Sequence, residues 1–129
     1  MAEGLQASLE TEVMQLLLAG QHPVLEILRA QFKCSRVKKR EMTGAGFYLS
    51  FETDSALKAT DISQITLGDV HAQIEGLKNG AGFVLFIVDG LVGCLEGYSY
   101  DEPWPNEIKK YSLTYSHGTK RRLPDLDLD

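Results

Sequence analysis

NGAGFVLFIVDGLVGCLEGYSY, residues Asn79 to Tyr100, is the stretch whose reading decides the fold. It opens on Asn79-Gly80, a pair that tolerates positive φ at both positions and closes a tight hairpin. The apolar run Phe83-Val84-Leu85-Phe86-Ile87-Val88 follows without a break. Such a run between turn signals reads as a strand covered on both faces, in the middle of a sheet. Asp89-Gly90 turns the chain, and Leu91 to Tyr98 runs back beside it.

Outward from this hairpin the chain supplies matching pieces. Leu5, Leu9, Val13, Leu16 and Leu17 recur at spacings of three and four, the apolar stripe of an N-terminal helix. Glu3 stands near its positive end, and Gly20 is placed to take a left-handed conformation just past its last turn. His22-Pro23 starts a second helix, with proline at the first helical position. Leu25, Leu28 and Phe32 line its buried side, with Val24 and Ile27 beside them. So short a connection predicts an antiparallel helical hairpin.

From Ser35 the period changes to two. Arg36, Lys38 and Arg40 alternate with Val37, Lys39 and Glu41, which suits a charged strand at a sheet edge. Thr43-Gly44-Ala45-Gly46 turns into a second strand that buries Phe47, Leu49 and Phe51 and exposes Tyr48, Ser50 and Glu52. Residues 53 to 63 read as a polar loop with one helical turn. Ile65 and Leu67 then fall on one parity and Val70, Ala72 and Ile74 on the other, so a bulge or break is expected at Gly68. Tyr111, Leu113 and Tyr115 alternate with Ser112 and Thr114 in a last strand. The expectation is one α+β domain over residues 1 to 118: a helical hairpin packed on a mainly antiparallel sheet of five or six strands. Residues 119 to 129 follow as a flexible charged tail.

Composition narrows the function classes. The chain has 129 residues, 43% apolar and 24% charged, the balance of an ordinary globular domain. Thirteen basic against eighteen acidic side chains leave a net charge of −5, which speaks against nucleic acid or an anionic membrane as partner. No apolar run approaches the length of a membrane span. The N-terminus carries Glu3, Glu10 and Glu12 without a basic region, so a signal peptide is not expected. Cys34 and Cys94 have no metal-like spacing and read most simply as free thiols of a reducing cytoplasm, with a disulfide between them left open.

Chemistry-bearing motifs are sparse. The GAGF turn occurs at Gly44 and again at Gly80, but neither copy has the lysine and hydroxyl of a phosphate loop. No GxSxG is present, and neither cysteine has a histidine near it in sequence. Of the three histidines, His22 belongs to a helix start and His117 to the C-terminal end. His71 lies in a strand, on the face opposite Val70 and Ala72 with Asp69, Gln73 and Glu75. It reads as an acid-base group beside a carboxylate or, more plainly, as part of a solvated face. No histidine pair has metal-ligand spacing, so no metal and no cofactor are expected.

Glu96 stands next to the most apolar segment of the chain. Buried, it would have a raised pKa and could serve as an acid or base. The plainer reading pairs it with a cross-strand Lys, Arg or Tyr. Gly93 and Gly97 flank it and leave room for a ligand or a neighbouring backbone. Tyr98, Tyr100, Asp101, Glu102 and Trp104 form an aromatic and acidic cluster ending in Pro103-Trp104-Pro105. Trp104, the only tryptophan, reads equally as an anchor for a partner or as a lid over one end of the sheet.

The succession GAGFVLFIVDG, LEGY and DEPWP, from Gly80 to Pro105, resembles a recurrent type of small bacterial protein. The GAGF turn at Gly44 and the HPVL start of the second helix support the likeness. It implies a bacterial cytoplasmic origin and carries no reaction, ligand or catalytic residue. The functional expectation is a non-catalytic binding or interaction domain, such as an acidic inhibitor or immunity-type protein, acting on a protein partner. The binding candidates are His71, Glu96, Tyr98, Tyr100, Asp101, Glu102 and Trp104. The alternative is a small-ligand site or modest enzyme centred on Glu96, Tyr98 and His71. A homodimer is left open.

Overall fold

The structure is a computed structural model, and it describes residues 4 to 60 and 62 to 116. The expectations for Glu3, for His117 and for the charged tail lie outside the described residues. Two helices, α1 (Gln6–Leu17) and α2 (Pro23–Cys34), precede β1 (Arg36–Met42) and β2 (Gly46–Glu52). A short 3-10 turn at Ser55–Leu57 leads to β3 (Ile65–Ile74), β4 (Ala81–Val88), β5 (Leu91–Ser99) and β6 (Tyr111–Tyr115). The six strands form one sheet in the order β1-β2-β5-β4-β3-β6, every neighbouring pair antiparallel. The chain is an α+β protein with its helices at the N-terminus, and the run at Phe83 lies in a central strand. No helix among the described residues is long and apolar enough to cross a membrane.

Both helices lie on one face of that sheet, α1 over β3 and β4 and α2 over β5. Each rests on the strands more than on the other helix. Leu9, Val13, Met14 and Leu17 of α1 and Leu25 and Leu28 of α2 are fully buried against Phe47, Leu67, Phe83, Leu85 and Leu95. Removing that apolar area from water is the main stabilising term. Arg29 of α2 donates to the carbonyls of Leu18 and Gly20 at 2.5 and 2.8 Å, which satisfies acceptors left open at the end of α1. His22 caps α2, its Nδ1 accepting from the Val24 N–H at 3.1 Å.

One expectation about the central strand is corrected. Phe83, Leu85 and Ile87 are buried, but Val84 and Phe86 are half-buried and Val88 is exposed. The helices roof one face only. An unbroken apolar run does not distinguish a strand covered twice from one whose second face is merely aromatic and aliphatic.

The turns separate in the same way. Asp89 and Gly90 take φ of 54° and 72°, the two-residue turn whose twist matches its strands. Asn79-Gly80 does not close a tight hairpin: β3 and β4 are joined by residues 75 to 80, with φ of 103° at Gly76 and 71° at Gly80. The β3 irregularity falls between Leu67 and Val70, as the parity slip at Gly68 predicts. A second one, between Phe86 and Ile87 on β4, leaves Gly93 as the extra residue on β5.

β1 is the charged edge strand that the sequence predicts, exposed along its whole length. At the other edge lies β6. Between α1, α2 and the β1–β2 hairpin runs a groove of about 210 Å³, floored by Phe32, Leu49 and Phe51, with Glu10 and Arg40 in its wall.

Candidate functional site

Antiparallel register fixes which side chains meet on the unroofed face. Tyr48 on β2, Glu96 on β5 and Val84 on β4 stand in one row across the sheet. The next row toward the β5 C-terminus holds Gly46, Tyr98, Gly82 and His71. The row on the other side holds Ser50, Cys94 and Phe86. Among the described residues no helix covers this face.

Glycine at Gly82 lets the aromatic layer lie close to the sheet. A Cβ built there would stand 2.6 Å from the Tyr98 phenol and 2.8 Å from the Tyr100 hydroxyl. Tyr98 meets Tyr100 edge-on at 5.6 Å between centroids, and Tyr100 stacks on the His71 ring at 6.2 Å. These are the separations that aromatic pairs favour, and packing of this kind fixes rotamers. Burial pushes the Tyr98 hydroxyl pKa up, and the neighbouring Tyr100 adds to the shift.

Glu96 is half-buried at the centre of the face. The hydroxyl of Tyr48, directly opposite, lies within hydrogen-bonding reach of the Glu96 carboxylate, whose charge raises the Tyr48 pKa. Among the described residues no Lys or Arg forms an ion pair with Glu96. The plainer expectation, a cross-strand partner, is met by tyrosine. Two cations of the β1 edge pair with other carboxylates: Arg36 with Glu52 at 2.5 Å and Lys39 with Glu41 at 3.9 Å. Burial raises the Cys94 thiol pKa, so this cysteine is held in its neutral, less nucleophilic form.

The structure therefore brings His71, Glu96, Tyr98 and Tyr100 together and separates the other three candidates from them. Trp104 is buried on the roofed side, its ring edge-on to Phe47 at 5.4 Å and its Nε1 donating to Gln6 Oε1 at 3.1 Å. Of its two expected roles it fills the lid. Glu102 holds the 75–80 loop, its two oxygens accepting from the N–H groups of Lys78 and Asn79 at 2.8 and 2.9 Å. Asp101 is exposed with φ of 60°, a turn conformation that aspartate tolerates. Asp69 is not the exposed neighbour expected for His71: it sits at the bulge and is buried, and the ring against His71 is Tyr100.

Gly97 has a different use from the one its position beside Glu96 suggests. A Cβ there would run into the ring of Phe47, so the space it leaves is filled on the roofed side by a core side chain. Gly93 is the bulge residue.

Two polar clusters escaped the sequence reading. Glu10, only 3% exposed, accepts from Arg40 Nε and Nη2 at 2.8 and 2.5 Å and from Gln6 Nε2 at 2.8 Å. Through Gln6 this chain reaches the Trp104 indole. Gln31, fully buried, donates to the carbonyls of Leu57 and Gly90 and accepts from the Val92 N–H, all between 2.8 and 2.9 Å. Both clusters have every bond satisfied, as buried scaffold polar groups do. Among the described residues no group of His, Cys, Asp and Glu side chains is arranged to hold a metal ion.

Glu102 gives a pH-dependent prediction. Its two backbone hydrogen bonds lower the carboxyl pKa below the ordinary value. A folded-state pKa depressed in this way contributes stability above the unfolded pKa, and that stability is lost as pH falls through the folded one. Glu102→Gln, which has one acceptor oxygen where the carboxylate has two, should lower the unfolding midpoint near neutral pH. The gap from the parent should narrow as pH falls below the ordinary carboxylate range and through the depressed folded-state pKa. A gap of constant size would show that the charge of Glu102 contributes nothing.

A scan against protein-family models and searches of curated proteins and of solved structures return no match.

Proposed function

We propose that this chain is a non-catalytic protein-binding domain, an acidic inhibitor or immunity-type protein, which docks a basic protein partner on its unroofed sheet face. One observation carries the reading. Tyr48, Val88 and Tyr100 are 40%, 45% and 41% exposed, and half-buried Val84, Phe86 and Tyr98 lie with them around a carboxylate that has no cation partner among the described residues. Exposed aromatics round a polar centre are the composition of binding hot spots, and contiguous apolar surface of this kind marks interaction sites. The net charge of −5 selects a basic partner over a nucleic acid or an anionic membrane. A bacterial cytoplasmic setting is supported by the resemblance of residues 80 to 105 and by two free thiols, which fit a reducing compartment.

Site-specific photocrosslinking tests the reading. A photoreactive side chain at Phe86 should capture one discrete partner in the cells of origin, and one at exposed Ile27 on the outer side of α2 should not. The captured protein, once purified, should be basic and should bind stoichiometrically, and Val88→Asp should abolish binding. A Phe86 probe that captures nothing, or the same species as the Ile27 probe, overturns the proposal.

A second reading, a small-ligand site or modest enzyme, is favoured by Glu96, Tyr98 and His71 sharing one face. It requires saturable binding of a small molecule from a metabolite library, lost in Glu96→Gln.

A further inference from the structure

The unroofed face has a centre whose chemistry selects what part of a partner lands there, an inference that rests on the docking proposal above. Glu96 has Tyr48 on one side, Val84 on the other and Tyr98 two residues along its own strand. A carboxylate among rings and aliphatic groups loses water as soon as a second surface closes over it. Covered by an apolar side chain, it would become a buried charge with no counter-ion, a costly arrangement. Covered by an anion, it would repel it. Only a cationic group offsets both costs, and the neighbouring rings add attraction through their negative faces. Among the described residues no Lys or Arg forms an ion pair with Glu96, and two cations of the β1 edge, Arg36 and Lys39, lie against Glu52 and Glu41 instead.

We propose that Glu96, with Tyr48 and Tyr98, forms a receptor for an arginine side chain of the protein partner. Arginine fits better than lysine for two reasons. Its planar guanidinium stacks on a phenol ring, and its fork donates two parallel hydrogen bonds to one carboxylate. The receptor is built before the partner arrives. Tyr98 is held against Tyr100 over the bare Cα of Gly82, Tyr100 is held against His71, and Tyr48 reaches Glu96 across the strand pair. Side chains already ordered lose little further entropy on binding. His71 and Tyr100 are positioning residues in this arrangement.

The test uses the intact chain and a defined probe, N-acetyl-arginine amide, against its uncharged isostere N-acetyl-citrulline amide. Backbone amide shifts are followed by NMR as each is titrated in. The arginine probe should produce saturable shifts centred on residues 48, 84, 96 and 98, and the citrulline probe none. Glu96→Gln, isosteric and able to accept the Tyr48 hydroxyl, should weaken the arginine response at least about tenfold with the rest of the spectrum unchanged. Tyr48→Phe should weaken it less, since the ring face remains. Equal response to citrulline, shifts spread over other carboxylates, absence of any saturable shift at Glu96, or a Glu96→Gln response equal to the parent each overturn the proposal. The docking reading fails separately: a partner captured at Phe86 whose binding ignores Glu96→Gln removes the arginine receptor and leaves the interface standing.

Discussion

Phe47→Ala should destabilise the protein by about 4 kcal/mol, the middle of the range for a buried aromatic cut back to a methyl group. Phe47 is 1% exposed and lies where three parts of the core meet. Its ring is edge-on to Trp104 at 5.4 Å, tilted against Phe83 at 6.4 Å and laid over Gly97 of the neighbouring strand. Removing it loses the transfer energy of the ring, leaves a cavity that the rigid sheet cannot collapse, and uncovers the backbone of Gly97. For a chain of this size the melting temperature should fall by on the order of 10–15 °C. The companion substitution is Gly97→Ala, which drives a methyl group into the same ring and should also destabilise. Combined, Phe47→Leu and Gly97→Ala should cost clearly less than the sum of the two singles, because the smaller side chain vacates the space that the new methyl needs. Chemical denaturation of the four proteins measures this. Strict additivity would show that the ring and the glycine do not share a site.

The pairing of Phe47 with Gly97 also shows what the sequence could and could not say. Phase along a strand is local information. The alternation of Phe47, Leu49 and Phe51 with Tyr48, Ser50 and Glu52 was enough to assign the two faces of β2, and the slip at Gly68 was enough to place a bulge. Register between strands distant in sequence is not local. Tyr48 faces Glu96 across 48 positions of chain, and no period in either segment contains that pairing. Tyr48 was therefore missing from the candidate residues, although its hydroxyl lies within hydrogen-bonding reach of the Glu96 carboxylate. The same limit hid the use of Gly97, which looked like space for a ligand and is space for a ring from β2. Trp104 failed to resolve for another reason: its direction depends on Gln6, 98 residues away, whose amide accepts from the indole. The open face itself was concealed by composition, since Val84, Phe86 and Val88 read as core residues wherever they occur. A second apolar face is the same string of letters whether it is covered by the protein or left for a partner.

Arg40→Met should cost about 3 kcal/mol, less than the most severe losses seen for buried ion pairs because part of Arg40 remains in water. The side chain of Glu10 is 4% exposed and that of Arg40 34%, so the carboxylate depends on the guanidinium far more than the reverse. With Arg40 gone, Glu10 would keep only the Gln6 amide as a donor among the bonds described for it, deep under α1. An uncompensated charge there disfavours the folded state more than the lost attraction alone would suggest. A second substitution, at Glu10, separates the two contributions. Arg40→Met with Glu10→Gln removes the charge but keeps an acceptor for the Gln6 amide, so the Gln6–Trp104 hydrogen bond survives. That double variant should recover more than half of the loss. Arg40→Met with Glu10→Leu should recover less, because it leaves the Gln6 amide without its acceptor in a buried position. If the Leu variant is as stable as the Gln variant, the buried amide is not held by Glu10, and the chain from Arg40 to Trp104 is not a unit. Since Trp104 closes the core beside Phe47, the two substitutions predicted to do most damage act on adjoining parts of one structure. One removes the ring under the lid, and the other loosens the polar tether that holds the lid in place.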